Sequence, residues 1–211
     1  MLAPALLPLI LSVLPLSTAI PAPAPAALAA PPNIPSASAA RNALNGLTVA
    51  PEGPQEGYSR SLFRHWITIS GECNTREEVL KRDGQGVTVD SRCYPSSGSW
   101  FSEYDGETVS VASGADIDHV VPLSNAWKSG ARSWSAARRQ EFANDLTNPQ
   151  LIAVTAKSNR AKGDKGPENW KPPRTSYHCT YAKMWVKVKS AYSLSVNEEE
   201  KAALTEMLGT C

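Results

Sequence analysis

The 211-residue chain is poor in several things, and each shortage narrows what it can be. Charge of one sign is missing: 21 Lys and Arg against 20 Asp and Glu leave a formal +1, so any footprint for nucleic acid must be local. Histidine occurs three times, at 65, 119 and 178, which leaves few choices for an imidazole base. There is no Cys-x-x-Cys, which argues against a structural zinc site. No apolar run after residue 19 could cross a bilayer. Internal repeats are also lacking, and residues 20–57 hold no dibasic processing site. Proline is thin in the second part of the chain, since eleven of the seventeen precede Gly57, whereas all six tryptophans follow Tyr58. A sizeable core is therefore expected only after Tyr58.

What is present divides the chain into three parts. Residues 1–19 read as a secretory signal peptide: Leu6 to Leu16 is apolar but too short to span a membrane, and Ser17-Thr18-Ala19 suits cleavage. Its first residues carry no Lys or Arg. Residues 20–57 are rich in Pro, Ala and Ser and lack the large apolar side chains that offset ordering entropy. They are expected to be a linker or propeptide without fixed structure. Residues 58–211 should form one folded domain. The four cysteines suit an oxidising compartment and allow three connectivities. Cys73–Cys93 with Cys179–Cys211 is expected, because each pair lies within one local unit. Each bridge should contribute about 3 kcal/mol.

Within the domain, Leu62, Phe63, Trp66 and Ile67 suggest a short helix over Ser61–Trp66. Thr75 and Glu78 read as a capping box ahead of Val79 and Leu80, with Gly84 as the stop. Residues 87–89 and 108–111 read as short strands, and Gly98-Ser99 as a turn. This stretch is expected to be scaffold. Ser135 can cap a helix reaching Ala143. Tyr181, Met184, Trp185, Val188 and Tyr192 fall at helical spacing and read as core, and Ser195 or Asn197 can cap a last helix through Leu208.

The chemistry concentrates after residue 115. Ala115 to Val121 is a mostly apolar run that carries Asp118-His119 and meets Pro122; Leu151 to Val154 is a second. Thr155 can cap a short helix that carries Asn159 and ends at Gly163. Strand, strand and helix would bring His119, Asp118 and Asn159 together, provided the first strand ends at His119, because neighbours on a regular strand face opposite sides. A neutral His can take a proton from water. Asp118 and Asn159 offer hard oxygens, leaving other positions to water and phosphate, as magnesium prefers. Asn148 can tie two loops through its amide. From Lys157 to Arg174 six cationic residues stand against two acidic ones. Arg160, Lys162 and Lys165 are the members nearest the site, where a phosphate backbone would be favoured.

The ordered series Thr-Arg-Glu-Glu-Val-Leu, Asp-His-Val-Val-Pro-Leu, Ala-Trp-x-Ser-Gly-Ala, Phe-Ala-Asn-Asp-Leu and Ser-Asn-Arg-x-Lys-Gly-Asp-Lys runs from Thr75 to Lys165. It resembles the HNH, or His-Me finger, nuclease superfamily, in the branch of GmrSD-type restriction endonuclease C-terminal domains that includes secreted members. The resemblance implies an α+β fold with a ββα-metal core in a mainly helical, disulfide-stabilised domain. It implies His119 as general base, Asn148 as the residue that orients the His loop, and Asp118 and Asn159 as ligands of one divalent metal. Asn159 stands where many relatives have a third His, which makes the site harder and less suited to zinc. Magnesium is expected, with manganese or calcium as alternatives. The part of Asp116 stays open.

The expected function is that of a secreted, extracellular endonuclease of low sequence specificity, acting on DNA ahead of RNA, free of the membrane after signal removal, and monomeric. The alternative is a non-catalytic secreted protein that keeps the fold and binds nucleic acid or a cell surface.

Overall fold

The computed structural model describes residue 1 and residues 31–211. The proposed signal peptide and residues 20–30 lie outside the described residues. The fold is α+β, as expected. Seven helices and three small antiparallel sheets are formed by the described residues.

The first element is a correction. Ala37–Gly46 is a helix, α1, inside the stretch expected to lack structure. The Ser36 hydroxyl caps it by accepting from the Ala39 amide. Ala40 and Leu44 are buried in the main core, and the Arg41 guanidinium donates to the Leu208 carbonyl at 2.6 Å. Farther on, Val49 bridges to Val196, and the Gly53 amide donates to the Lys128 carbonyl. Composition alone underrated this segment because two small apolar contacts suffice when the receiving groove is already built. That groove is made by α6 (His178–Ala191) and α7 (Glu198–Leu208), which the Cys179–Cys211 disulfide ties together.

After a 3-10 turn at Arg60–Leu62, where a helix to Trp66 was expected, come β1 (Thr68–Ser70) and β2 (Cys73–Asn74). Helix α2 (Thr75–Asp83) is capped one residue earlier than read: Asn74 accepts from the Arg76 and Glu77 amides, and Glu77 closes the box. Strands β3 (Gly84–Val89), β4 (Pro95–Phe101) and β5 (Thr108–Val109) form a sheet in that order. The turn expected at Gly98 is the middle of β4. The glycine there sits at φ +148° against the Trp100 ring, where a Cβ would come within 2.8 Å of the indole. Cys73–Cys93 staples β2 to the β3–β4 turn, so both expected disulfides are present.

The site unit follows. Strand β6 (Ala115–His119) pairs antiparallel with β7 (Leu151–Thr155), Asp118 opposite Ile152 and His119 opposite Leu151. Between them lie α3 (Leu123–Lys128) and α4 (Ala136–Ala143), the latter capped by Ser135. Helix α5 (Ala156–Lys162) leaves β7 directly, capped by Thr155 and closed by Gly163 at φ +57°. Every residue of β7 is buried. Ile152 and Val154 join the main core, while Leu151 and Ala153 join a second cluster with Val79, Leu80, Trp100 and Ile117. The hairpin is thus pinned from both faces, a rigid base for a site.

If α1 is docked as described, Leu44→Ala should cost about 2–5 kcal/mol of stability, the usual range for truncating a buried Leu. Urea unfolding of the chain measures it. A change of only a few tenths would mean that the helix does not pack.

Candidate active site

Strand alternation puts Asp116 and Asp118 on the face of β6 that α5 covers, and His119 on the other. Asp118 and His119 still meet the same opening, because the strand ends at His119. A cavity of about 360 Å³ is walled by Asp118, His119, Asn159 and Arg160, with Tyr58 and Arg60 opposite. A second cavity of about 360 Å³ lies against β7, but its charged groups are already paired. There, Asp83 accepts from Arg82 and the Ala153 amide, and Arg174 pairs with Glu103.

His119 is buried. Its Nε2 lies 2.9 Å from the Ala143 carbonyl at the end of α4. A carbonyl only accepts, so Nε2 carries the hydrogen and Nδ1 keeps its lone pair. No described residue hydrogen-bonds Nδ1. Trp66 lies 5.4 Å away, tilted 31° over the ring. Its backbone is held at φ +57°, a conformation that costs a bulky residue energy and that turns the indole onto the imidazole. Burial pushes the His119 pKa down to about 3, with the Ala143 bond opposing. The imidazole is therefore neutral at pH 7, with its Nδ1 lone pair unprotonated.

Asp118 is 3 % exposed and doubly held. Lys162 Nζ donates to Oδ1 at 2.8 Å and the Tyr104 hydroxyl to Oδ2 at 2.6 Å. Burial pushes the carboxyl up and the ammonium down, each opposed by the other's charge. Lys162 also donates to the His119 carbonyl at 3.0 Å. This corrects one expectation: Lys162 is 0 % exposed and cannot reach a phosphate. Its place is under the site, tying α5 to the end of β6.

Asn148 is also displaced from its expected part. Its amide donates to Asp145, which in turn accepts from the Tyr192 hydroxyl, and it lines a separate depression with Ile67 and Leu146. The carboxamide that ties the loop after His119 is Gln150. Fully buried, it accepts from the Val121 amide at 3.0 Å and donates to the Val121 carbonyl at 2.9 Å. The signal for it was a polar residue directly abutting the buried strand.

Asn159 Nδ2 donates to Asp116 Oδ2 at 3.2 Å. A carboxylate only accepts, so the amide orientation is decided and Oδ1 is left without a described donor. Arg160 Nε lies 3.5 Å from the same Asp116 oxygen, with most of its side chain in solvent. Asp116 thus steers two residues of α5. Lys165 donates to the Ala161 carbonyl and lines a neighbouring depression with Glu168, not this cavity. Among the described residues no three His, Cys, Asp or Glu side chains cluster as a metal cage. The oxygens of Asn159 and Asp118 fit a hard cation that keeps most of its water, since each Asp118 oxygen has a second lone pair.

The model for the C-terminal domain of GmrSD restriction endonucleases matches residues 75–207. The chain belongs to this family. It is also similar to a protein of Arthroderma benhamiae described as an uncharacterized secreted protein, 68% identical over 187 residues, which covers 89% of this chain and 92% of that protein. No solved structure matches. The family match takes in β6, β7 and α5 but begins after Tyr58, Arg60 and Trp66. Tyr58 and Arg60, read from sequence as scaffold, line the cavity, and Trp66 lies against His119. Their only local signal was the aromatic and basic content of residues 58–66.

Breaking a buried ion pair leaves an uncompensated charge. Lys162→Met should therefore destabilise the protein by about 3–5 kcal/mol. Lys165→Met, at an exposed position, should stay within about 0.5 kcal/mol of the parent. Denaturant unfolding of both variants checks the contrast, and equal losses would contradict the buried role of Lys162.

Proposed function

We propose that the protein is a secreted, metal-dependent endonuclease that hydrolyses phosphodiester bonds with low sequence specificity. The observation that carries the reading is the shared cavity: His119, Asn159 and Arg160 line one space, and the His119 Nδ1 and Asn159 Oδ1 have no hydrogen-bond partner among the described residues. Membership in a restriction endonuclease domain family supports a nuclease. The secreted relative and the two disulfides support export. Among the described residues no helix is long and apolar enough to cross a membrane.

In this reading His119 Nδ1 takes a proton from the attacking water. The Ala143 carbonyl keeps the ring in the required tautomer and Trp66 restricts its tilt. Asn159 Oδ1 and Asp118 would hold one divalent cation, with magnesium the best match to their chemistry. When bound, that ion polarises the phosphate and neutralises charge on the leaving oxygen. Arg160 contacts a flanking phosphate. No described element offers a set of side chains for reading base edges, so affinity would come from the backbone, with DNA the preferred substrate.

The second reading, a fold that binds nucleic acid without cutting it, draws on one observation. Lys162 cancels much of the Asp118 charge, which weakens the pull on a cation. The two readings part in one assay. Supercoiled plasmid incubated with magnesium should be nicked and linearised, and EDTA should stop it. His119→Ala should lower the rate by about 100-fold or more while circular dichroism stays unchanged. Retention of plasmid without cleavage, at any divalent metal tried, would favour the binder.

A further inference from the structure

We propose that Arg60 is a substrate-binding residue, holding a phosphate of the nucleic-acid strand across the cavity from Asn159 and Arg160. The inference rests on the nuclease reading and adds a contact from outside the stretch that the family model matches.

The other charges around the cavity are already spoken for. Lys162 is bound to Asp118 and Arg160 leans on Asp116. Asp164, also on the wall, accepts from Ser124. Arg60 lines the same cavity and is exposed, and its guanidinium makes no hydrogen bond or ion pair with any described residue. An exposed arginine on its own is usually just solvated. Here the backbone beneath it is fixed. Arg60 opens a 3-10 turn in which the Leu62 amide donates to Ser59 and the Phe63 amide to Arg60. Both ends of the turn are anchored by aromatic rings: Tyr58 packs on Trp127 at 6.0 Å, and the buried Phe63 packs on Phe142 at 6.2 Å. The guanidinium is therefore presented at the mouth from a rigid base.

Without a metal, the two arginines on the wall face two carboxylates, so the cavity holds little net attraction for an anion. A phosphodiester entering it needs a cation that is not already neutralised, and the planar fork of Arg60 suits two phosphate oxygens at once. Because this contact exists in the ground state as well as during reaction, its loss should weaken binding more than turnover.

The test uses the full chain and a fluorescein-labelled DNA duplex. Binding is measured in EDTA across a salt series, and cleavage in magnesium. Arg60→Ala should weaken binding roughly tenfold and make the slope of log K against log salt shallower by about 0.9, the loss of one phosphate contact. KM should rise while kcat changes little. Arg60→Lys should restore the slope but only part of the affinity. Arg92→Ala, in the exposed β3–β4 turn, is the control and should match the parent. If the parent cleaves and Arg60→Ala matches Arg92→Ala in slope and KM, the Arg60 assignment fails and the nuclease reading stands. If the parent neither binds nor cleaves DNA or RNA, both fail together.

Discussion

The site depends on a lysine that never sees solvent. Lys162 Nζ sits between the Asp118 carboxylate and the His119 carbonyl, and so joins the end of α5 to the end of β6. Desolvating a lysine and an aspartate costs several kcal/mol each, which their attraction repays only when the geometry is good and the remaining polar atoms are satisfied. Tyr104 supplies the last donor. The pair contributes less to stability than to register. With Lys162 in place, α5 has one position along β6, and in that position Asn159 and Arg160 fall beside Asp116. A one-turn slip would take both away from the cavity.

Around this hairpin-and-helix unit, more distant segments complete the enclosure. Helix α4 ends where its Ala143 carbonyl meets His119. The chain from Tyr58 to Trp66 folds over the open side, held by Phe63 and Trp127, and covers the imidazole with an indole. Still farther back, α1 packs on the two C-terminal helices. The disulfide at Cys179–Cys211 keeps those helices together, so a proline-rich segment finds a ready surface. An oxidising compartment thus stabilises the groove that docks the N-terminal segment.

Much of this was legible from residues. The two buried strands and the capped helix showed in the apolar runs, Thr155 and Gly163, and the spacing of Cys73 and Cys93 matched their bridge. The parts that stayed hidden have physical reasons. Lys162 reads as surface by every local rule, and only a carboxylate 44 residues upstream makes its burial tolerable. Asn148 had a polar amide at a plausible place, yet Gln150, two residues on, is the one aimed at the His loop. Helix α1 depends on a groove built by residues more than a hundred positions later. Strand β4 was disguised by Gly98 and its serines, because its glycine makes room for Trp100 and does not turn the chain. Arg60 carries no motif at all; the part proposed for it rests on where two aromatic anchors hold its backbone.

The central claim is that one divalent cation binds between the α5 amide and the β6 carboxylate, in reach of the buried imidazole. Anomalous diffraction from crystals grown with manganese tests it most directly. The account predicts a single strong peak within bonding distance of Asn159 Oδ1, on the Asp118 side of the cavity, that vanishes in Asn159→Ala crystals. A peak elsewhere, or none at manganese concentrations that support cleavage in solution, would contradict it.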